Sequence, residues 1–148
     1  MARFSFRLQN ILNLKARLED QQKNVFAAAK KRLDDEEEKL KVLYTRLEGY
    51  QEKGRDLRKE ALPVFEIIEN ESAISRMEDF IEDQKIEVQK AEEALEVERQ
   101  KLVEMMKERK MYEKLRERAF DQYLEEEKHE EGVLNDERNS YVYGTREL

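Results

Sequence analysis

Apolar residues recur every three or four positions along almost the whole chain. Phe4, Leu8, Ile11, Leu18, Val25, Leu33, Leu40, Leu43, Leu47, Tyr50 and Leu57 form a first seam, with Lys15, Gln22, Ala29 and Glu36 on or near its line. Intervals of three and four place residues along one side of a helix, and a sustained run of them marks a coiled-coil seam. The step through Ala29 and Leu33 reads as a stutter that would relax the supercoil locally. A second and more regular seam runs through Ile74, Met77, Ile81, Gln84, Val88, Ala91, Leu95, Glu98, Leu102, Met105, Arg109 and Tyr112, then slips to Leu115, Ala119 and Tyr123. The pattern predicts a first helix over about 4–61 and a second over about 73–140, with a short C-terminal tail from YVYGTREL. Those helices would be roughly 55 and 65 residues, or about 85 and 95 Å at the helical rise.

Between the seams the pattern breaks. The stretch from Tyr50 to Ser72 holds the only proline, Pro63, which disfavours helical geometry at Leu62 before it. A turn over about 62–72 follows, with Val64, Phe65, Ile67 and Ile68 folding back over it and Ser75 to Glu78 offering a capping box for the next helix. One amphipathic helix leaves its seam wet and needs a partner, which a hairpin supplies from the same chain. The expected fold is therefore all-α, a long antiparallel two-helix coiled-coil hairpin forming one domain over residues 1–148.

Charge supports the antiparallel choice. Residues 1–62 carry 15 basic and 11 acidic side chains, whereas residues 63–148 carry 14 and 25. Folding about residue 67 would set the basic residues 1–18 opposite the acidic residues 116–131. Exposed pairs contribute little energy, so they would select orientation more than stability. The phased seams argue against the disordered reading that a 44% charged chain otherwise invites.

Composition also bounds chemistry. The chain has no cysteine, which excludes disulfides and thiol chemistry, and its single histidine, His129, cannot build a triad or a histidine-ligated metal site alone. The run DDEEE at 34–38 lacks the glycine and ligand spacing of a calcium loop and reads as a solvated helix face. The opening MARFSFRLQNILNLKARLED is cut by Arg7, Gln9, Asn10, Asn13 and Lys15, so it lacks the unbroken apolar run of a secretory signal. No window has the apolar length of a membrane span. The basic N-terminal cations are dispersed without a base-stacking platform, which argues against nucleic acid as a partner. No catalytic residue, cofactor or metal site is expected, and the chain reads as a non-enzyme.

Two stretches stand apart: FSFRLQNILNLKARLED at the start and YEKLRERAFDQYLEEEKHEEGVLNDE at 112–137. Together they resemble the FliJ family of flagellar type III export proteins. The family opens with F-x-F-R-L-Q-x-(I/V)-L and a nearby glutamate, matched here by Phe4, Phe6, Arg7, Leu8, Gln9, Ile11, Leu12 and Glu19. Its second helix carries E-K-L-(K/R)-E, then an aromatic and a late D-E pair, matched by Glu113 to Glu117, Tyr123, Asp136 and Glu137. Gly132 departs from the family pattern and is expected to interrupt the second helix.

The resemblance implies a cytoplasmic component of the flagellar export apparatus, peripheral to the inner membrane and similar to the central stalk of rotary ATPases. It implies that the chain binds the hexameric export ATPase, contacts the export gate and handles export chaperones. Arg3, Arg7, Lys15, Arg17, Glu117, Glu125 and Glu126 are the expected ATPase contacts at the open end. Leu43, Tyr50, Phe80 and Ile81, on the half nearer the turn, are the expected gate contacts. A generic coiled-coil scaffold and a prefoldin-like holdase chaperone are the alternatives; the latter needs strands between the helices, for which residues 58–74 leave little room.

Overall fold

The computed structural model describes residues 3–59 and 63–146. It is all-α: helix α1 spans Gln9–Lys59, helix α2 spans Val64–Arg146, and the two pack antiparallel as a coiled-coil hairpin. Two compact units result, one of Met1–Asp20 with Glu104–Leu148 and one of Gln21–Val103.

The seam of α1 is more regular than its apolar residues suggest. Leu8, Leu12, Lys15, Glu19, Gln22, Phe26, Ala29, Leu33, Glu36, Leu40, Leu43, Leu47, Tyr50, Gly54 and Leu57 are each buried or half-buried, in unbroken alternation of four and three. The expected stutter is absent. Ile11 and Val25, assigned to the seam by sequence, are 38% and 46% exposed, and their neighbours Leu12 and Phe26 take the inward positions. Where apolar residues stand side by side, the polar seam members Lys15, Glu19 and Gln22 decide the phase.

Both helix starts differ from expectation. α1 begins at Gln9, not near residue 4; Arg7 and Leu8 form a turn in which the Gln9 N–H donates to the Phe6 carbonyl at 3.1 Å. The preceding segment instead carries Phe4 onto α2, where its ring lies 5.1 Å from Phe120 and 5.4 Å from Tyr123. α2 begins at Val64, well before residue 73, because a proline is tolerated at the very start of a helix. The Pro63 carbonyl accepts the Ile67 N–H at 3.0 Å. Of the expected turn, 62 falls outside the described residues, as do 60 and 61, and the span from Val64 onward is helical. Val64, Phe65 and Ile68 do not fold back: as the first turns of α2 they are 64%, 73% and 59% exposed. Nor does Gly132 interrupt α2, which continues to Arg146; its cost of about 1 kcal/mol relative to alanine is small beside the strong helix formers around it.

In the unit of residues 21–103 three cross-helix rungs fix the alignment. Gln22 Nε2 donates to the Glu98 carbonyl at 3.0 Å and to its carboxylate at 2.6 Å. Gln84 Nε2 donates in the opposite sense to the Glu36 carbonyl at 2.9 Å and to its carboxylate at 2.5 Å. Asn70 Nδ2 donates to the Tyr50 carbonyl at 2.9 Å. Asn70 is buried against Gly54, where a Cβ would come within 2.5 Å of Asn70 Oδ1. Met77, Ile81 and Ala91 are the buried apolar side chains among the described residues of this unit. Glu36, read by sequence as part of a solvated acidic face, is thus turned into the seam, while Asp34, Asp35, Glu37 and Glu38 are exposed.

Candidate interaction surfaces

The unit of residues 1–20 and 104–148 is pinned by charge and by aromatic rings. Glu19, only 2% exposed, accepts from Arg109 Nε, and Arg109 also reaches Glu113 at 2.7 Å. The hydrogen bonds to Glu19 and then Glu113 push the Arg109 pKa further up, so its charge is permanent. Lys15 Nζ lies 2.8 Å from Glu108, and that hydrogen bond and charge raise its pKa. Arg116 Nε donates to Gln9 Oε1 at 2.9 Å, and its guanidinium stands 5.5 Å over the Phe4 ring. Burial, followed by the charge of Glu127, raises the Tyr123 pKa and keeps its hydroxyl protonated.

These contacts correct the alignment expected from charge. Lys15 meets Glu108 and not the 116–131 span. The acidic stretch past Tyr123 is consequently left facing solvent: apart from half-buried Glu127, every residue from Leu124 to Val142 is exposed.

The predicted ATPase contacts separate accordingly. Lys15 is committed to Glu108. Arg3, Arg7 and Arg17 are exposed, as are Glu117, Glu125 and Glu126. Arg3 and Glu126 border one shallow depression with Phe4, Ser5, Ala119, Gln122 and Tyr123. Arg7, Arg17, Glu117 and Glu125 are not part of it. The aromatic floor of that depression is what the charge-based reading missed; the adjacent Ala119, Phe120 and Tyr123 were its signal.

The predicted gate contacts also differ among themselves. Ile81 is 4% exposed and belongs to the core, whereas Phe80 beside it is 55% exposed. Leu43 is a half-buried seam residue. Tyr50 is half-buried and borders a concavity of about 830 Å³ with Lys53, Phe65, Ile68, Ala73 and Arg76 among its walls. Phe65 and Ile68, which sequence reasoning assigned to the turn, are the most accessible apolar groups there. Among the described residues no helix is long and apolar enough to cross a membrane.

Neither a curated protein nor a solved structure matches the chain. The family described as Flagellar FliJ protein matches residues 4–148, which takes in the N-terminal aromatic segment and both helices. The chain belongs to the FliJ family of flagellar proteins.

Proposed function

We propose that the chain is a non-enzymatic component of the flagellar type III export apparatus that binds the export ATPase hexamer through its open end. In this reading it acts as a central-stalk-like coiled coil, contacts the export gate and handles export chaperones, on the cytoplasmic side of the inner membrane. One observation carries the ATPase assignment. The cations that hold the helices together, Lys15 and Arg109, are paired inside the hairpin, whereas Arg3, Arg7 and Arg17 are turned outward. Dispersed surface charges suit contacts that must form and break, because each is weak in water and screened by salt.

The test is reversal of the outward charges. Arg7→Glu/Arg17→Glu is expected to lower stimulation of the export ATPase several-fold while circular dichroism reports unchanged helix content, and stimulation by the unaltered chain is expected to fall as salt is raised. Unchanged stimulation by a folded variant would remove the open end as the contact and favour a passive scaffold. The holdase alternative lacks support in the fold: among the described residues no strand stands between the helices. For the gate, the surface to vary is Phe80 with Tyr50, since Ile81 is core.

A further inference from the structure

The three rungs share a geometry that the hairpin alone does not require. Gln22, Glu36 and Tyr50 are spaced two heptads apart on α1, and Asn70, Gln84 and Glu98 are spaced two heptads apart on α2. All six occupy the same seam position of the heptad. Between them, at the intervening heptads, stand Ala29 and Leu43 on α1 and Met77 and Ala91 on α2. Polar and apolar residues therefore alternate at this position, and the alignment sets Gln22 on the Glu98 carboxylate, Gln84 on the Glu36 carboxylate and Asn70 on the Tyr50 main chain.

Alternation makes the neighbouring alignments costly. A slip of one heptad sets Gln84 against Ala29 or Leu43 and Asn70 against Leu43 or Leu57, whichever way the helices move. Gln22 and Gln84 then lose their carboxylate partners inside the seam, and Asn70 loses the clearance that Gly54 gives it, disfavouring the slipped alignment by about tenfold or more per rung. A slip of two heptads toward residue 67 restores polar to polar but brings Glu36 against Glu98. That alignment is the one charge at the open end would select, and like carboxylates facing across a seam oppose it. The opposite two-heptad slip sets Tyr50 against Asp56 of its own helix and needs the end of α1 to unwind.

We propose that Gln22, Asn70 and Gln84 form a register code, holding residues 21–103 in a single helix alignment, and that removing them frees the helices to slide by a heptad. The buried polar position is a known means of selecting one coiled-coil register over others at some expense in stability. Here the code is distributed over three sites, so that no single apolar layer has to discriminate. Gly54 belongs to it, since only a residue without Cβ leaves Asn70 room to reach Tyr50.

The chain has no cysteine, so engineered pairs report alignment without background. Leu43→Cys/Ile81→Cys joins positions that lie level in the alignment set by the close approach of Gly54 to Asn70, while Leu43→Cys/Val88→Cys and Leu43→Cys/Ile74→Cys join positions that come level only after a one-heptad slip. With the rungs intact, the first pair is expected to oxidise at least about tenfold faster than either slipped pair. In Gln22→Leu/Asn70→Leu/Gln84→Leu the slipped pairs are expected to close at comparable rates, with helix content kept and a melting temperature no higher than that of the unaltered chain, because Glu36 and Glu98 lose the amides that satisfy them. A rung-free chain that still cross-links only at 43 and 81 overturns the code and leaves the connection between the helices as the sole determinant. Should the triple variant associate between chains, Glu36→Leu/Gln84→Leu removes one rung only. It is expected to raise slipped cross-linking by about tenfold, and a native-only pattern there overturns the proposal equally.

Discussion

At the residue scale the most constrained position is a glycine near the C-terminal end of α1. Gly49 and Gly132 have nothing within 4 Å of an added Cβ, whereas at Gly54 that atom meets Asn70 Oδ1 at 2.5 Å. Glycine to alanine in an exposed helix interior stabilises by about 1 kcal/mol. At Gly54 the same gain is opposed by displacement of a buried amide, which costs about 1–3 kcal/mol when its bond is lost. Urea denaturation is therefore expected to show Gly49→Ala and Gly132→Ala at or above the unaltered chain and Gly54→Ala below it. Asn70→Ala in the same chain is expected to remove the penalty of Gly54→Ala, because the clashing oxygen is gone. A Gly54→Ala variant as stable as Gly49→Ala would show that Asn70 rearranges freely. The buried pair of Glu19 and Arg109 follows related logic: the carboxylate is out of water, so its partner is needed to satisfy it and not to add net stability.

At the scale of elements, adjacent residues of α2 have opposite roles. Ile81 is 4% exposed and Phe80 is 55% exposed, although both are large and apolar. Ile81→Ala is expected to lower unfolding stability by about 2–3 kcal/mol through lost burial and the cavity left behind. Phe80→Ala is expected to stay within roughly 0.5 kcal/mol, which makes it the clean variant for measuring gate binding. Similar losses for the two would place Phe80 in the core and remove it as a contact. Much of this level was legible in the sequence. Strict three and four spacing located the second seam correctly from Ile74 to Tyr112, and the break at Pro63 located the change of helix. What was not legible was phase and alignment. At residues 11 and 12, and again at 25 and 26, two apolar side chains compete for one inward position, and hydrophobicity alone does not choose. The alignment was misjudged because it was read from exposed charges, each worth little in water, while buried amides and an early helix start at Val64 set it. Asn70 looked like a loop residue for the same reason: asparagine favours turns until a carbonyl on the opposing helix satisfies it.

For the molecule as a whole, the family was legible in the N-terminal aromatic and basic segment, and the structure supplies that segment with a physical task. Phe4 packs on Phe120 and Tyr123, with Arg116 over its ring, which ties the chain's start to α2 ahead of the first helical turn. The site was less legible than the fold, because exposed charge is abundant and only a structure separates paired cations from outward ones. The half-wet seam has a thermal consequence. Among the described residues no large side chain is fully buried, and the accessible surface is 12068 Å², against about 8,000 Å² for a globular chain of the same mass. The heat-capacity increment of unfolding scales with apolar surface newly hydrated, so calorimetry is expected to give a value well below the usual ~12–15 cal/mol/K per residue. The stability curve then flattens. Such a protein loses little of its margin on cooling and melts over a wide interval, so the flagellar apparatus would receive a component whose folded fraction responds only gently to the temperature at which the cell swims.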